Sequence, residues 1–93
     1  MPAYLLAEIE VDRPGMYREY IEKAYPIVKR YGGRYVFQSE SITPVSGDWT
    51  PGRMIMITFE SRKKLNECFA SDEYKKIAPI RERSTRSRAV IVE

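Results

Sequence analysis

Leu5, Ala7, Ile9 and Val11 alternate with Tyr4, Leu6, Glu8 and Glu10, a period of two that predicts a strand with one wholly apolar face and one mixed face. The period then changes. Tyr17, Tyr20, Ile21, Ala24, Ile27, Val28 and Tyr31 recur at intervals of three and four, which predicts an amphipathic helix ending near Tyr31. Asp12 is placed to cap it, Pro14 suits its first turn, and Pro26 removes one backbone donor and should bend it. Gly32-Gly33 stops the helix and releases a second strand from Arg34 to about Ile42. Residues 43–52 read Thr-Pro-Val-Ser-Gly-Asp-Trp-Thr-Pro-Gly, too rich in turn formers for anything but a long loop. Alternation returns from Arg53 to Glu60 as a third strand. Ser61 can cap a second helix with Leu65, Cys68 and Phe69 inward. Ser71-Asp72-Glu73 restarts it with Tyr74, Ile77 and Ala78 inward, and Pro79 is expected to disrupt this second piece. Arg88 to Glu93 closes the chain as a fourth strand.

The resulting βαββαβ order predicts a single α+β domain over residues 1–93. It is the ferredoxin-like arrangement, with right-handed crossovers giving a four-stranded antiparallel sheet in the order 4-1-3-2 and both helices on one face. The opposite face then carries Tyr4, Leu6, Glu8, Met54, Met56 and either Val90 and Val92 or their neighbours, too apolar a surface to leave in water on a small monomer. RNA is one cover for such a face, since recognition modules of this topology stack bases on aromatic residues of strands one and three. Residues 52–59, Gly-Arg-Met-Ile-Met-Ile-Thr-Phe, fit that pattern only loosely, with Met54 and Met56 where stacking rings belong. A second copy of the chain is the better cover: two sheets packed through their open faces form a dimeric α/β barrel, a homodimer with a side-chain-lined cavity in each half.

Composition narrows the chemistry. Among the 93 residues there is no histidine and one cysteine, so this chain supplies no imidazole base, no Ser/His or Cys/His pair, no internal disulfide and no thiolate zinc site. No metal and no cofactor is expected. With only Cys68 and no signal-peptide pattern, and with no uncharged run near the roughly 18 residues of a membrane span, a cytoplasmic protein is expected. The net charge of +3 is uneven: residues 1–60 hold seven Lys/Arg against eight Asp/Glu, residues 61–93 nine against five. Arg62-Lys63-Lys64, Lys75-Lys76, Arg81, Arg83, Arg86 and Arg88 are interspersed with Glu67, Asp72, Glu73 and Glu82, which reads as a solvated face before it reads as a nucleic-acid surface.

Pro2-Ala3-Tyr4-Leu5, Tyr17 with Tyr20, Tyr31-Gly32-Gly33-Arg34-Tyr35, Gly47-Asp48-Trp49 followed by Pro51 and Arg53, then Phe59 and Ser61 occur in this order along essentially the whole chain. Together they resemble the uncharacterised bacterial domain-of-unknown-function family 1330, placed in the dimeric α/β-barrel superfamily. That resemblance implies a fold shared with cofactor-free monooxygenases, muconolactone isomerase-like enzymes and ligand-binding or stress-response barrels. Where the family pattern is Glu-Phe-Pro-Ser, this chain reads Thr58-Phe59-Glu60-Ser61, so the first carboxylate of that stretch is missing here.

In this topology Glu8, Glu10, the Asp48-Trp49 loop, Arg53 and Arg88 should meet at one end of the sheet. Glu8 projects from an otherwise apolar face, where desolvation would raise its pKa and suit it to act as the catalytic acid or base; the alternative is a buried carboxylate paired with an arginine across the dimer. Trp49 offers a flat wall to a ring-shaped ligand or simply anchors its loop, with Asp48 beside it. Arg34 and Arg53 would clamp a carboxylate ligand or pair with Glu60 and Glu10. Three function classes are carried forward: a cofactor-free enzyme moving a proton on a small acidic or aromatic molecule, a non-catalytic ligand-binding or stress-response barrel and, behind these two, a nucleic-acid binder.

Overall fold

The first alternating segment forms β1 (Ala3–Val11) at the centre of the sheet in the computed structural model, which describes residues 1–93. It is followed by α1 (Pro14–Arg30), β2 (Arg34–Ser39), β3 (Met54–Phe59), α2 (Arg62–Phe69), α3 (Asp72–Ser84) and β4 (Thr85–Val92). The sheet order is β2-β3-β1-β4 with every pairing antiparallel, the order that the βαββαβ reading predicts. Leu5 lies opposite Ile57 and Ile91, and Leu6 opposite Met56 and Val90. The two sets of side chains therefore divide cleanly between the helix-covered and the open face.

The helix-covered face holds the core. Ala3, Ile9, Ile55, Ile57 and Phe59 of the sheet pack against Tyr20, Ala24, Ile27 and Val28 of α1 and Leu65, Cys68, Tyr74 and Ile77 of α2 and α3, all buried. Cys68 is fully buried and burial pushes its thiol up to about 11, which makes it a small hydrophobe rather than a nucleophile. No helix is long and apolar enough to cross a membrane.

Helix ends follow local chemistry. Ser61 and Ser71 sit in extended backbone and accept hydrogen bonds from the amides of Lys64 and Tyr74, each at 3.2 Å, the N-capping expected of both. At the end of α1 the Gly33 amide donates to the Val28 carbonyl at 2.9 Å and the Gly32 amide to that of Lys29 at 3.0 Å. This is a Schellman closure, with Gly32 at φ +80°. Gly33 is required for a different reason. A Cβ there would lie 2.6 Å from Val28 Cγ1 and 2.7 Å from the Phe59 ring, so strand and helix touch through the missing side chain.

Four expectations are corrected. Asp12 does not cap α1: Arg13 holds the cap position without a side-chain bond, and the Asp12 carboxylate engages Arg86 at 3.3 Å instead. Pro79 does not disrupt α3, which continues to Ser84. The carbonyl it leaves without a donor belongs to exposed Lys75, as that freed by Pro26 belongs to exposed Glu22, where water can satisfy each. β2 ends at Ser39 rather than near Ile42, lengthening the loop. β4 begins at Thr85 rather than Arg88, because Arg86 and Arg88 are the outward members of an alternation whose inward members, Ser87 and Ala89, are small.

Candidate functional site

The open-face end of the sheet is organised around Glu8. It lies opposite Met54 on β3 and Arg88 on β4, so a cross-strand pair forms within one chain: Arg88 Nε donates to Glu8 Oε1 at 2.8 Å, while Trp49 Nε1 donates to Oε2 at 2.7 Å. The Trp49 and Arg88 hydrogen bonds hold the carboxyl below its ordinary value of 4.5, against a smaller opposing effect of desolvation. The expected rise in pKa is thereby corrected, since donors that favour the charged form outweigh burial. Arg86 extends the ladder to Glu10 at 2.8 Å and to Asp12. Glu8, Glu10, Thr50, Gly52, Arg86 and Arg88 border a polar cleft of about 550 Å³.

The remaining sequence candidates lie elsewhere. Arg53 is at the same sheet end but on the helix side, with Nε bonded to the Tyr17 hydroxyl at 3.2 Å, its other nitrogens on Glu40 and Gln38 at 2.9 and 3.3 Å, and its guanidinium over the Tyr17 ring. Its carboxylate partner is Glu40, not Glu10. Arg34 begins β2 opposite Thr58, at the far end of the sheet, and Asp48 is exposed. The loop is therefore tied down twice, by Trp49 on one face and by Arg53 on the other.

Trp49 is the chain's one tryptophan, so its emission reports this tie alone. Because the folded-state pKa of Glu8 is depressed, the charged acceptor is fully present above the unfolded value and lost as pH falls through the folded one. Emission should stay constant from neutral pH down to the ordinary carboxyl value of 4.5 and change only below it. Glu8→Gln, which keeps an acceptor oxygen without a titrating group, should flatten that change. A wild-type transition centred above pH 5 would contradict the arrangement.

A second concavity, a side-chain-lined cavity of the kind expected in each half of the barrel but with a lining the sequence did not indicate, lies between the sheet and the helices. It measures about 580 Å³, and sixteen of its nineteen lining residues are hydrophobic. Small side chains create it: Ala7 pairs with Ala89 across β1 and β4, and Ala24 on α1 and Ala70 lie on its wall. Ala89 and Ile91 are exposed although they belong to the helix-side alternation, which locates the mouth beside edge strand β4.

Few polar groups reach this space. The Tyr20 and Tyr74 hydroxyls bond to each other at 2.7 Å, and burial, reinforced by Tyr74, pushes the Tyr20 phenol far up. Burial also pushes Tyr35 up to about 12. Arg81 Nη1 donates to Ser87 Oγ at 3.1 Å, whereas Arg81 Nε is buried without a partner. Thus hydrogen-bond donors and a cation line an apolar chamber that has neither carboxylate nor imidazole on its wall.

Fold and cavity together define an α+β protein of the ferredoxin-like class with a chamber under its helices. The chain belongs to the family described as a domain of unknown function, DUF1330, whose model matches residues 2–93. Among solved structures it is similar to a protein of unknown function from Rhodopseudomonas palustris, with 16% identity and a TM-score of 0.83 over 98% of this chain and 80% of that one. It is also similar to a dimeric ferredoxin-like protein of unknown function from Jannaschia sp. CCS1, with 15% identity and a TM-score of 0.69 over 100% and 99% of the two chains. SnoaB, a cofactor-independent oxygenase from Streptomyces nogalater, is similar at 11% identity and a TM-score of 0.70 over 99% and 91%. At these identities the likeness is one of fold. No curated protein matches the chain in sequence.

Proposed function

We propose that this protein binds a small, flat, largely apolar organic molecule in the chamber between sheet and helices, and that it works as a homodimer joined through the open sheet face. The chamber carries the reading: about 580 Å³ falls within the range of small-molecule sites, and an apolar wall with a few convergent polar groups is their usual chemistry. The dimeric neighbour supports the assembly. So does the apolar open face, where Val90 and Val92 are about half exposed and Phe37 is 39% exposed.

Binding is favoured over proton-transfer catalysis by what the chamber lacks. Tyr20 and Tyr35 on its wall are held protonated by burial, and Glu8, the carboxylate that would serve as base, lies on the other side of the sheet and is held ionised by its two donors. The fold of SnoaB keeps a cofactor-free reaction as the second reading, in which the ligand would have to bring its own ionisable proton.

Ala7→Phe tests the site, because its ring would enter the chamber from β1. The neutral probe 2-naphthamide, followed by its fluorescence, should bind the wild type and bind the folded variant at least about tenfold more weakly, through lost shape and lost apolar contact. Equal binding to both, or no binding of any probe with this ring system, charged or neutral, would remove the chamber as the ligand site.

A further inference from the structure

The polar end of the chamber specifies more than an apolar guest. Arg81 lies on α3 one turn beyond Ile77, on the buried stripe of Tyr74, Ile77 and Ser84. Its position in the last turn of α3 gives its charge the favourable carbonyl end of a helix. Nη1 is held by Ser87, which fixes the plane of the guanidinium. Nε is left buried and unsatisfied, the one such side-chain nitrogen or oxygen in the chain, and Arg81 takes part in none of the chain's ion pairs. An unpaired buried donor on a charged group carries a desolvation cost that folding alone does not return.

A second donor faces the same space. The Tyr20 and Tyr74 hydroxyls own two hydrogens and use one in their mutual bond, so the accepting hydroxyl retains a hydrogen with no protein acceptor. Tyr74 and Arg81 lie two turns apart on α3, and Tyr20, Tyr74 and Arg81 all line the chamber, which puts the cation and the tyrosine pair on the same wall. Both open valences are donors, and no carboxylate lines the chamber.

We infer that the ligand of this chamber is an organic anion, a flat apolar body carrying one carboxylate or phenolate oxygen centre that accepts from the Arg81 guanidinium and from the Tyr20–Tyr74 hydroxyl pair. This rests on the chamber being the binding site and adds the chemical class of its occupant. The apolar body fills the space bounded by Leu5, Ala7, Ile57 and Phe69, while the anionic head sits against α3 beneath Ser87. Charge-assisted hydrogen bonds in a water-poor site are the strong kind, and a neutral isostere offers the guanidinium only an uncharged acceptor, about half as strong a bond.

Three probes with the same ring system separate the outcomes: 2-naphthoate, 2-naphthol and the neutral 2-naphthamide, titrated into the full-length protein. Wild type should bind 2-naphthoate at least about tenfold more tightly than 2-naphthamide, or should bind 2-naphthol as its phenolate, visible as the red-shifted naphtholate absorption at a pH where free 2-naphthol is neutral. The first result assigns a carboxylate head and the second a phenolate head. Arg81→Met should remove the preference, bringing the affinities for naphthoate and for the amide to within about twofold of each other. The wild-type ratio tests the inference even if that variant does not fold. Amide binding as tight as that of both anions, with Ala7→Phe still blocking it, would overturn the anion assignment and leave the chamber as the site. No binding of any probe would overturn both.

Discussion

Gly33→Ala is expected to cost about 3 kcal/mol of folding stability, a large effect for a single methyl group, and to lower the melting temperature by roughly 12–20 °C in a domain of this size. The added carbon would sit 2.6 Å from Val28 Cγ1 and under 3 Å from two atoms of the Phe59 ring. Both residues are about 1% exposed and have nowhere to move. Gly32→Ala provides the contrast. There the space is open but φ is +80°, so the cost is conformational and should be about 1 kcal/mol. Chemical denaturation of the two variants beside wild type separates the effects. A loss below about 1 kcal/mol for Gly33→Ala would mean that α1 and β3 do not approach as closely as described.

Leu6→Lys should abolish dimerisation without unfolding the chain. Leu6 lies on the central strand, between Met56 and Val90 on the open face, and is only partly buried in the single chain, so a lysine there can reach water in the monomer. In the dimer two such charges would be buried without partners, at about 2 kcal/mol or more each, raising the dissociation constant by about a thousandfold. Analytical ultracentrifugation should find wild type as a dimer at micromolar concentration and the variant as a folded monomer with unchanged far-ultraviolet circular dichroism. Wild type sedimenting as a folded monomer would remove the open face as an interface.

Much of the fold was legible in the sequence because periodicity and capping agree with tertiary structure here. The alternations of β1 and β3 are unambiguous, Ser61 and Ser71 cap as their positions suggest, and Gly32-Gly33 ends α1. Asp12 misled because a capping residue type was also the best partner for Arg86 across the sheet. Pro79 misled because a proline is tolerated where the carbonyl it frees belongs to an exposed residue. At the open-face end, the meeting of Glu8, Trp49 and Arg88 followed from topology, but the direction of the Glu8 pKa depends on two donors whose distances no sequence gives. A cavity was expected from the fold, but its lining was invisible for a different reason: it is made by small residues, and alanines on β1, β4 and α1 read as ordinary core positions. Arg81 had a detectable signal. It falls seven residues after Tyr74 and four after Ile77, on their stripe, yet it was read as part of a solvated basic face because its neighbours Glu82 and Arg83 are.

The alanines facing each other across β1 and β4 divide labour within one layer of side chains. Cohesion of the domain rests on the isoleucines and Phe59 of β1 and β3 and on the packing of α1 against α3, whereas Ala7 and Ala89 hold little together and mainly decide how much room the chamber has. Methyl groups added at those positions would trim the chamber from its floor while the helices that roof it stay in place. The size of the chamber is therefore adjustable by single substitutions that cost the scaffold little.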